Sequence, residues 1–467
     1  MMKEMYTSLD ELVKHLPIKD GLHLSFHHHL RNGDYVINHV LNYFNQLGIK
    51  DLHLYPSSIF PSYESILTLL KKGAISSITT NYLNGPVAEF LANEDHHVSL
   101  TMQTHGGRAR AFIEGENQVD IAFIAASASD TFGNATGLEG KNPCGSLGYA
   151  MEDLKYAKIK VLITDTILDK IDQPQIDGAF VDYIYQVEAI GDSKGIISGT
   201  TSITNDPVGI KIAKDAAKVM ILSGIVKEGF SFQSGAGGVS LRVTDIIKQY
   251  LITNHIKAKF FSGGITKYHV DMLEKDLVHD LYDVQCFDLE AVSSLKRNPH
   301  HHFISAHEYA NPHNEKRIIK DLDCVILGAT EIDLSFNVNV TTDSYNTIIG
   351  GSGGHSDTAS DSLLSIIVSP LIKARTPIIK NKVNTITTLG KHIDCLVTER
   401  GIAINPNRKD LIDLLKNTSL DLVTIETLQK RAYAYTGMPT EKTYKKTPFG
   451  TIVDRDGTTI DTLYKKK

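Results

Sequence analysis

The sequence predicts an α/β fold of two related domains, each a mostly parallel sheet flanked by helices. Three observations lead there. Short apolar strand-like runs alternate with longer helical patterns, which is the signature of parallel βαβ units. A chain of 467 residues exceeds what one hydrophobic core usually organises. Two stretches also recur at nearly constant offsets, as an internal duplication requires. Ser25-Phe26-His27-His28-His29 leads into a helical pattern through Val36, Val40 and Phe44, and 206 residues later Ser231-Phe232-Gln233-Ser234-Gly235 leads into Val243, Ile246 and Tyr250. The apolar run Val119–Ala126 precedes Asp130 and Asn134, and 203 residues later Leu322–Ala329 precedes Asp333 and Asn337.

From the N-terminus, Met1–Leu16 sets Glu4, Asp10 and Glu11 among apolar residues. That pattern predicts an amphipathic helix and lacks the apolar core of a secretory leader. Helices are predicted at Tyr35–Leu47 and Tyr63–Lys71, with a strand at Leu52–Tyr55 between them. In the second half a helix is expected at Leu241–Thr253 and a strand at Lys259–Ser262. The stretch Gly191–Gly209, with Gly195, Gly199 and Asp206-Pro207, breaks both periodicities. The domains are therefore drawn as 1–200 and 201–467, the second carrying the candidate catalytic loops.

Composition excludes several classes. Apolar residues at 42% and charged residues at 22% are those of a globular protein. With 48 Lys and Arg against 54 Asp and Glu, the net charge of -6 offers no cationic surface for nucleic acid. An anionic ligand would need positive charge supplied locally. Cys144, Cys286, Cys324 and Cys395 form no C-x-x-C pair, so a disulfide framework is not expected, and a reducing, cytoplasmic setting is. No apolar run reaches the roughly 20 residues that span a bilayer, so no membrane is expected as a partner.

The candidate site residues fall in loops. Ser234-Gly235-Ala236-Gly237-Gly238 precedes a helix near Val239, where bare N–H groups can meet an anion or oxyanion. The absence of a following Lys-Ser or Lys-Thr excludes a Walker loop, and Ser240 replaces the third glycine of a dinucleotide fingerprint. Gly350-Gly351-Ser352-Gly353-Gly354-His355 is denser, and such a run implies close approach of a backbone or ligand. Glu331 follows the strand Val325–Gly328, on the rim where open α/β sheets hold ligands, and can act as nucleophile, base or orienting group. Ala128 stands at its repeat position, which favours one site belonging mainly to the second half. His27–His29 and His300–His302 are consecutive, so their rings diverge and no metal is expected. His27, His28 and His29 are better suited to donate to an anionic ligand, and Gly106-Gly107-Arg108-Ala109-Arg110 offers guanidinium for carboxylates.

These stretches together resemble the citrate lyase alpha subunit family, and more distantly the coenzyme A-transferase superfamily, whose members pair two such domains. The resemblance is carried by Ser25–Asp34, Gly106–Arg108, Asp120–Asn134, Ser198–Thr201, Ser234–Gly238, Glu331–Asp333 with Asn337–Asn339, and Gly350–Ala359. It implies the exchange of acetyl-ACP and citrate for citryl-ACP and acetate, after which a beta subunit cleaves citryl-ACP. The thiol would belong to a CoA-like prosthetic group on a gamma acyl carrier subunit, with acetyl-CoA as analogue and no covalent cofactor on this chain. Glu331 matches the superfamily's glutamate that attacks thioesters, although the citrate lyase type is assigned direct exchange. Glu331 with Gly237 and Gly238 as oxyanion donors forms the implied catalytic set. Ser234, Gly235, Ala236, Gly351, Gly353, Gly354, His355, His27–His29, Arg108 and Asn337 form the implied substrate and CoA-binding set. One position departs from the family pattern, Asp361, where members usually carry glycine. An oligomer is expected. A transferase or hydrolase working on free coenzyme A is the nearest alternative, and a non-catalytic sugar-phosphate sensor is disfavoured by Glu331.

Overall fold

The computed structural model describes residues 2–27, 29–197, 201–439 and 447–466. In the first half, Ser99–Met102, Ile75–Thr80, Leu52–Pro56, His23–Phe26, Ile121–Ala126, Ile159–Thr164 and Tyr183–Gln186 lie side by side in that order, all parallel. The second half repeats this order with His301–Phe303, Val278–Cys286, Ala258–Ile265, Ser231–Ser234, Cys324–Gly328, Leu364–Val368 and Cys395–Thr398. In each sheet the chain runs outward from a central strand, then returns to that strand's other side. Loops therefore diverge between His23–Phe26 and Ile121–Ala126, and between Ser231–Ser234 and Cys324–Gly328. Such switch points are where open α/β sheets leave a crevice.

The duplication extends to hydrogen bonds. Ala128–Asp130 pairs antiparallel with Ala135–Thr136, and Glu331–Asp333 pairs likewise with Val338–Asn339. Asp130 Oδ1 accepts from the Phe132 and Asn134 amides, and Asp333 Oδ1 from those of Ser335 and Asn337. Asn134 Oδ1 then accepts from Gly178 N at 3.1 Å and Asn337 Oδ1 from Gly390 N at 2.9 Å.

Helices form where one apolar stripe can be buried. The helix Val36–Gln46 buries Val36, Ile37, Val40, Leu41 and Phe44, and Asp34 Oδ1 accepts the Ile37 amide at its start. The helix expected at Leu241–Thr253 runs over Gly238–Asn254. The predicted break at Gly191–Gly209 contains a 3₁₀ turn, Ser193–Ile196, and ends where the Asp206 carboxylate caps the helix Pro207–Leu222. Among the described residues no helix is long and apolar enough to cross a membrane.

Two expectations are corrected. Met1–Leu16 is not one helix: Glu4–Tyr6 is a strand parallel to Tyr183–Gln186, followed by a short helix, Leu9–Leu12, and a 3₁₀ turn, Val13–His15. An open sheet edge outweighs helical periodicity there. The strands Pro448–Val453 and Thr459–Tyr464 return to the first sheet, Gly450–Ile452 pairing with Leu100–Met102. The segment 201–467 is thus not coextensive with the second sheet.

Backbone meets backbone where the halves join. A Cβ on Gly106 would stand 2.0 Å from the Ala310 carbonyl oxygen, and one on Gly148 would stand 2.3 Å from that of Ile304. Asp357 crosses the joint, accepting from Thr104 Oγ1 at 2.7 Å and from Gly106 N at 2.9 Å. Ala109 and Tyr149 pack with Ile304, Tyr309 and Ala310 into an apolar cluster around it.

Asp361 ties the C-terminal hairpin to this joint. It accepts from Arg317 Nε at 2.6 Å and from Arg455 Nη2 at 2.8 Å. Burial pushes its pKa up, but the two guanidiniums outweigh burial and hold it below the ordinary carboxylate value. A depressed folded pKa contributes stability that is complete above the unfolded value, about 4, and is lost as the pH falls through the folded one. Asp361→Asn should therefore lower stability by about 2 kcal/mol at pH 7, read as a urea midpoint. The gap to wild type should hold from pH 8 to pH 5 and narrow only below about pH 4.

Candidate active site

Glu331 lies three residues beyond the strand Cys324–Gly328, at the switch point of the second sheet, and is 2% exposed. Its Oε1 accepts from Ser344 Oγ at 2.6 Å and lies 3.6 Å from Lys380 Nζ. Its Oε2 accepts from Asn339 Nδ2 at 3.1 Å and Asn384 N at 3.4 Å. The carboxylate borders a cavity of about 440 Å³, also lined by Ser344, Arg375, Lys380, Lys382 and Tyr433. Glu331 is the only acid among the described residues lining it, against three cations. The cavity thus carries positive charge that the chain as a whole lacks. Arg375 reaches it from a tight turn in which Ala374 (φ 49°) and Arg375 (φ 63°) both adopt left-handed backbone.

The Ser234–Gly238 turn ends the neighbouring strand. Gly235 N donates to Ile326 O at 2.9 Å, which fixes the turn against the strand leading to Glu331. Ser234 Oγ lies 3.1 Å from His269 Nε2, and His269 Nδ1 accepts the Thr266 amide, so Nε2 carries the proton. Burial lowers the His269 pKa to about 4, so the ring is neutral. Gly237 and Gly238 open the helix Gly238–Asn254, whose first N–H groups have no intrahelical acceptor. A Cβ on Gly237 would meet nothing within 4 Å, whereas one on Gly238 would stand 2.8 Å from Ser202 O. Ala236 lies in the same turn.

The Gly350–Gly354 run faces the other half of the chain. A Cβ on Gly351 would stand 2.2 Å from Asn81 O, and one on Gly354 would stand 2.7 Å from the Tyr309 hydroxyl. Gly353, at φ 51°, accepts the His105 amide at 2.9 Å. Close approach is what these glycines permit, and the partner is protein: main chain at Gly350 and Gly351, a side chain at Gly353 and Gly354. His355 Nε2 donates to Gly328 O at 2.9 Å, while Nδ1 lies 2.8 Å from Thr388 Oγ1. Burial holds its pKa down at about 4, and the neutral ring fixes the strand end before Glu331.

Other sequence candidates lie elsewhere. Arg108 is buried and bidentate to Asp153, at 2.7 and 2.6 Å, with a third bond to Tyr55 O, so its charge is already neutralised. Asn337 belongs to the Asp333 turn described above. His27 and His29 are buried with rings 5.7 Å apart, and His27 Nε2 lies 3.6 Å from Asp153 Oδ2. Burial lowers both pKa values, that of His29 to about 3, so both are neutral. His28 lies outside the described residues. Of the second histidine cluster, His301 pairs with Asp283 and His302 with Asp280. No group of three or more metal-ligating side chains forms among the described residues.

Sequence reasoning missed Asn339, Ser344, Arg375, Lys380 and Asn384. Asn339 was reachable, because the 203-residue offset sets it opposite Thr136 in the paired strands. The others fall in an irregular stretch with no periodicity to read.

The citrate lyase alpha subunit (CitF) family model matches residues 2–466. The citrate lyase alpha chain of Haemophilus influenzae is 42% identical over 466 residues, covering 100% of this chain and 93% of that one. The Klebsiella pneumoniae alpha chain is 40% identical, covering 100% and 92%. A Streptococcus mutans structure in complex with citrate, assigned as an alpha subunit of citrate lyase, superposes with a TM-score of 0.96. It is 43% identical and covers 99% of this chain and 91% of its own. The alpha subunit of a malonate decarboxylase from Acinetobacter baumannii, 14% identical, shares the fold with a TM-score of 0.69, covering 92% and 88%. The chain therefore belongs to the citrate lyase alpha subunit family, whose activity is citrate CoA-transfer, the exchange of acetyl for citryl on a carrier thioester.

Proposed function

We propose that the exchange runs in the cavity bordered by Glu331, with a CoA-like prosthetic group on a gamma acyl carrier subunit as the acyl donor. The observation carrying this reading is one dehydrated carboxylate beside three cations at a switch point. Arg375, Lys380 and Lys382 suit the phosphates of such an arm, and acetyl-CoA would serve as analogue. A carboxylate stripped of water is a better nucleophile than a hydrated one. Glu331 would attack the acetyl carbon, forming a C–O bond as the C–S bond breaks. Return of the thiolate to the Glu331 carbonyl releases acetate and leaves a glutamyl thioester for citrate to attack. The thiolate then takes the citryl group and frees Glu331. Each addition builds negative charge on a carbonyl oxygen, which the Gly237 and Gly238 amides are available to receive. A beta subunit would cleave the citryl thioester. Four buried, unpaired cysteines suit a reducing cytoplasm.

Glu331→Gln keeps the shape of the side chain and removes its charge. Exchange between acetyl-CoA and citrate should fall at least about 100-fold with citrate binding retained. Mass analysis of the Glu331 peptide after incubation with acetyl-CoA should show an acyl or CoA adduct in wild type. No adduct together with normal turnover in Glu331→Gln would remove the residue from the reaction. No adduct with lost turnover would favour direct exchange.

Gly237→Val tests the oxyanion donors, because the space beside that Cα is open. Turnover should fall about 10-fold or more while the thermal midpoint stays within about 2 °C of wild type. An equal loss of soluble protein would make the glycine structural.

A further inference from the structure

Arg31 is one of several residues outside the Glu331 cavity with unusual backbone. It is a non-glycine residue at φ 54°, in a 3₁₀ turn just after the central strand of the first sheet. Left-handed backbone at such a residue persists only where its surroundings over-determine it. Here they do. A Cβ on Gly33 would stand 2.1 Å from Asp192 O, one on Gly195 would stand 2.2 Å from Gly33 N, and one on Gly191 would stand 2.1 Å from Gly33 O. The Tyr63 hydroxyl donates to the Arg31 carbonyl at 3.2 Å.

The side chain held by this turn enters the space between the two halves. Its guanidinium carbon lies 5.6 Å from the Phe60 ring of the first half and 5.0 Å from the Phe287 ring of the second. Among the described residues its five N–H donors make one long hydrogen bond, Nη1 to Ile196 O at 3.4 Å. No carboxylate among the described residues forms an ion pair with it. Burial pushes its pKa down from the ordinary value, with the phenols of Tyr82, Tyr63 and Tyr149 acting the other way. Buried arginines of this chain are paired, Arg108 with Asp153 and Arg455 with Asp361. A half-buried cation without an anion beside it is left to be completed by a ligand or solvent.

We propose that Arg31, between Phe60 and Phe287, is a clamp for a carboxylate of the free acid substrate, citrate. The assignment rests on the transferase reading of the Glu331 cavity and adds an anion subsite for the acid substrate at the switch point of the first sheet. One guanidinium on aromatic faces matches a single planar carboxylate, which takes its fork bidentately. The three cations around Glu331 match a multiply charged arm instead. His27 and His29, both neutral, lie on the same loop.

Citrate binding to the purified chain, measured by calorimetry without turnover, separates the two readings. Arg31→Gln should weaken citrate about 10- to 100-fold and leave the KM for acetyl-CoA and the thermal midpoint unchanged. Arg31→Lys should fall between, since it keeps charge and loses the fork. Glu331→Gln should bind citrate normally, so failure of either reading leaves the other standing. If the Arg31 variants do not fold, hydrogen exchange on wild type decides: citrate alone should slow the amides of residues 31–36, and inorganic phosphate should not. Unchanged citrate affinity in folded Arg31→Gln would overturn the clamp, as would equal weakening of both substrates. Protection by phosphate in place of citrate would give the clamp to the acyl carrier's arm and overturn it equally.

Discussion

Main chain from one half of this protein lies against main chain from the other with no clearance for a side chain, and that contact locates everything chemical. The Ala310 carbonyl closes on Gly106, and Asn81 O on Gly351. Thr104 and Gly353 form a parallel bridge, and Asp357 receives a hydroxyl and an amide across the joint. Burial raises the Asp357 pKa to about 6 even though Arg455, Gly106 and Thr104 favour the anion. A buried carboxylate tolerated on those terms has a positional value that a hydrophobic pair could not supply. The loop it anchors continues from Gly354 into His355, whose ring holds the Gly328 carbonyl three residues before Glu331. The joint and the carboxylate are therefore one mechanical unit.

The duplication was legible because it leaves a local chemical trace. An aspartate four residues before an asparagine, just after an apolar strand, closes the same turn twice and reaches forward to a glycine amide in both halves. Strand order follows once the two halves are aligned. Two kinds of feature were not legible. Edge pairings depend on partners remote in sequence, so Glu4–Tyr6 and the C-terminal hairpin carry no pattern that announces their sheet. The function of a glycine also depends on what lies opposite it. The runs at 235–238 and 350–354 look alike in composition, yet Gly237 faces open space and Gly351 faces a carbonyl oxygen.

Arginine shows the same limit. Arg108 reads in sequence as a ligand-binding cation beside glycines, and the fold gives it Asp153 instead. Arg31 carries no such signal and keeps its charge unpaired among the described residues. Whether a cation binds substrate is decided by the supply of anions around it, which is a tertiary property.

The halves diverge in a coordinated way, and that coordination explains why one carries the buried carboxylate of Glu331. Strand registers set Ala128, Thr136 and Leu168 of the first half opposite Glu331, Asn339 and Lys380 of the second. At the buried Ala128 the register partners are a hydroxyl and an aliphatic chain, which do less to offset a carboxylate's desolvation than an amide and an ammonium. At 331 the same group meets an amide donor and an ammonium within 4 Å. A buried charge is admissible only with its partners, so the three positions had to change character together. The central strands His23–Phe26 and Ser231–Ser234 occupy the same register, so His27 and His29 follow the first where Gly235 and Gly237 follow the second, and imidazoles occupy the switch point that glycine leaves open in the second half. One scaffold, used twice, thus yields one dehydrated carboxylate beside bare amides and one histidine-lined crevice beside a guanidinium with no carboxylate partner among the described residues.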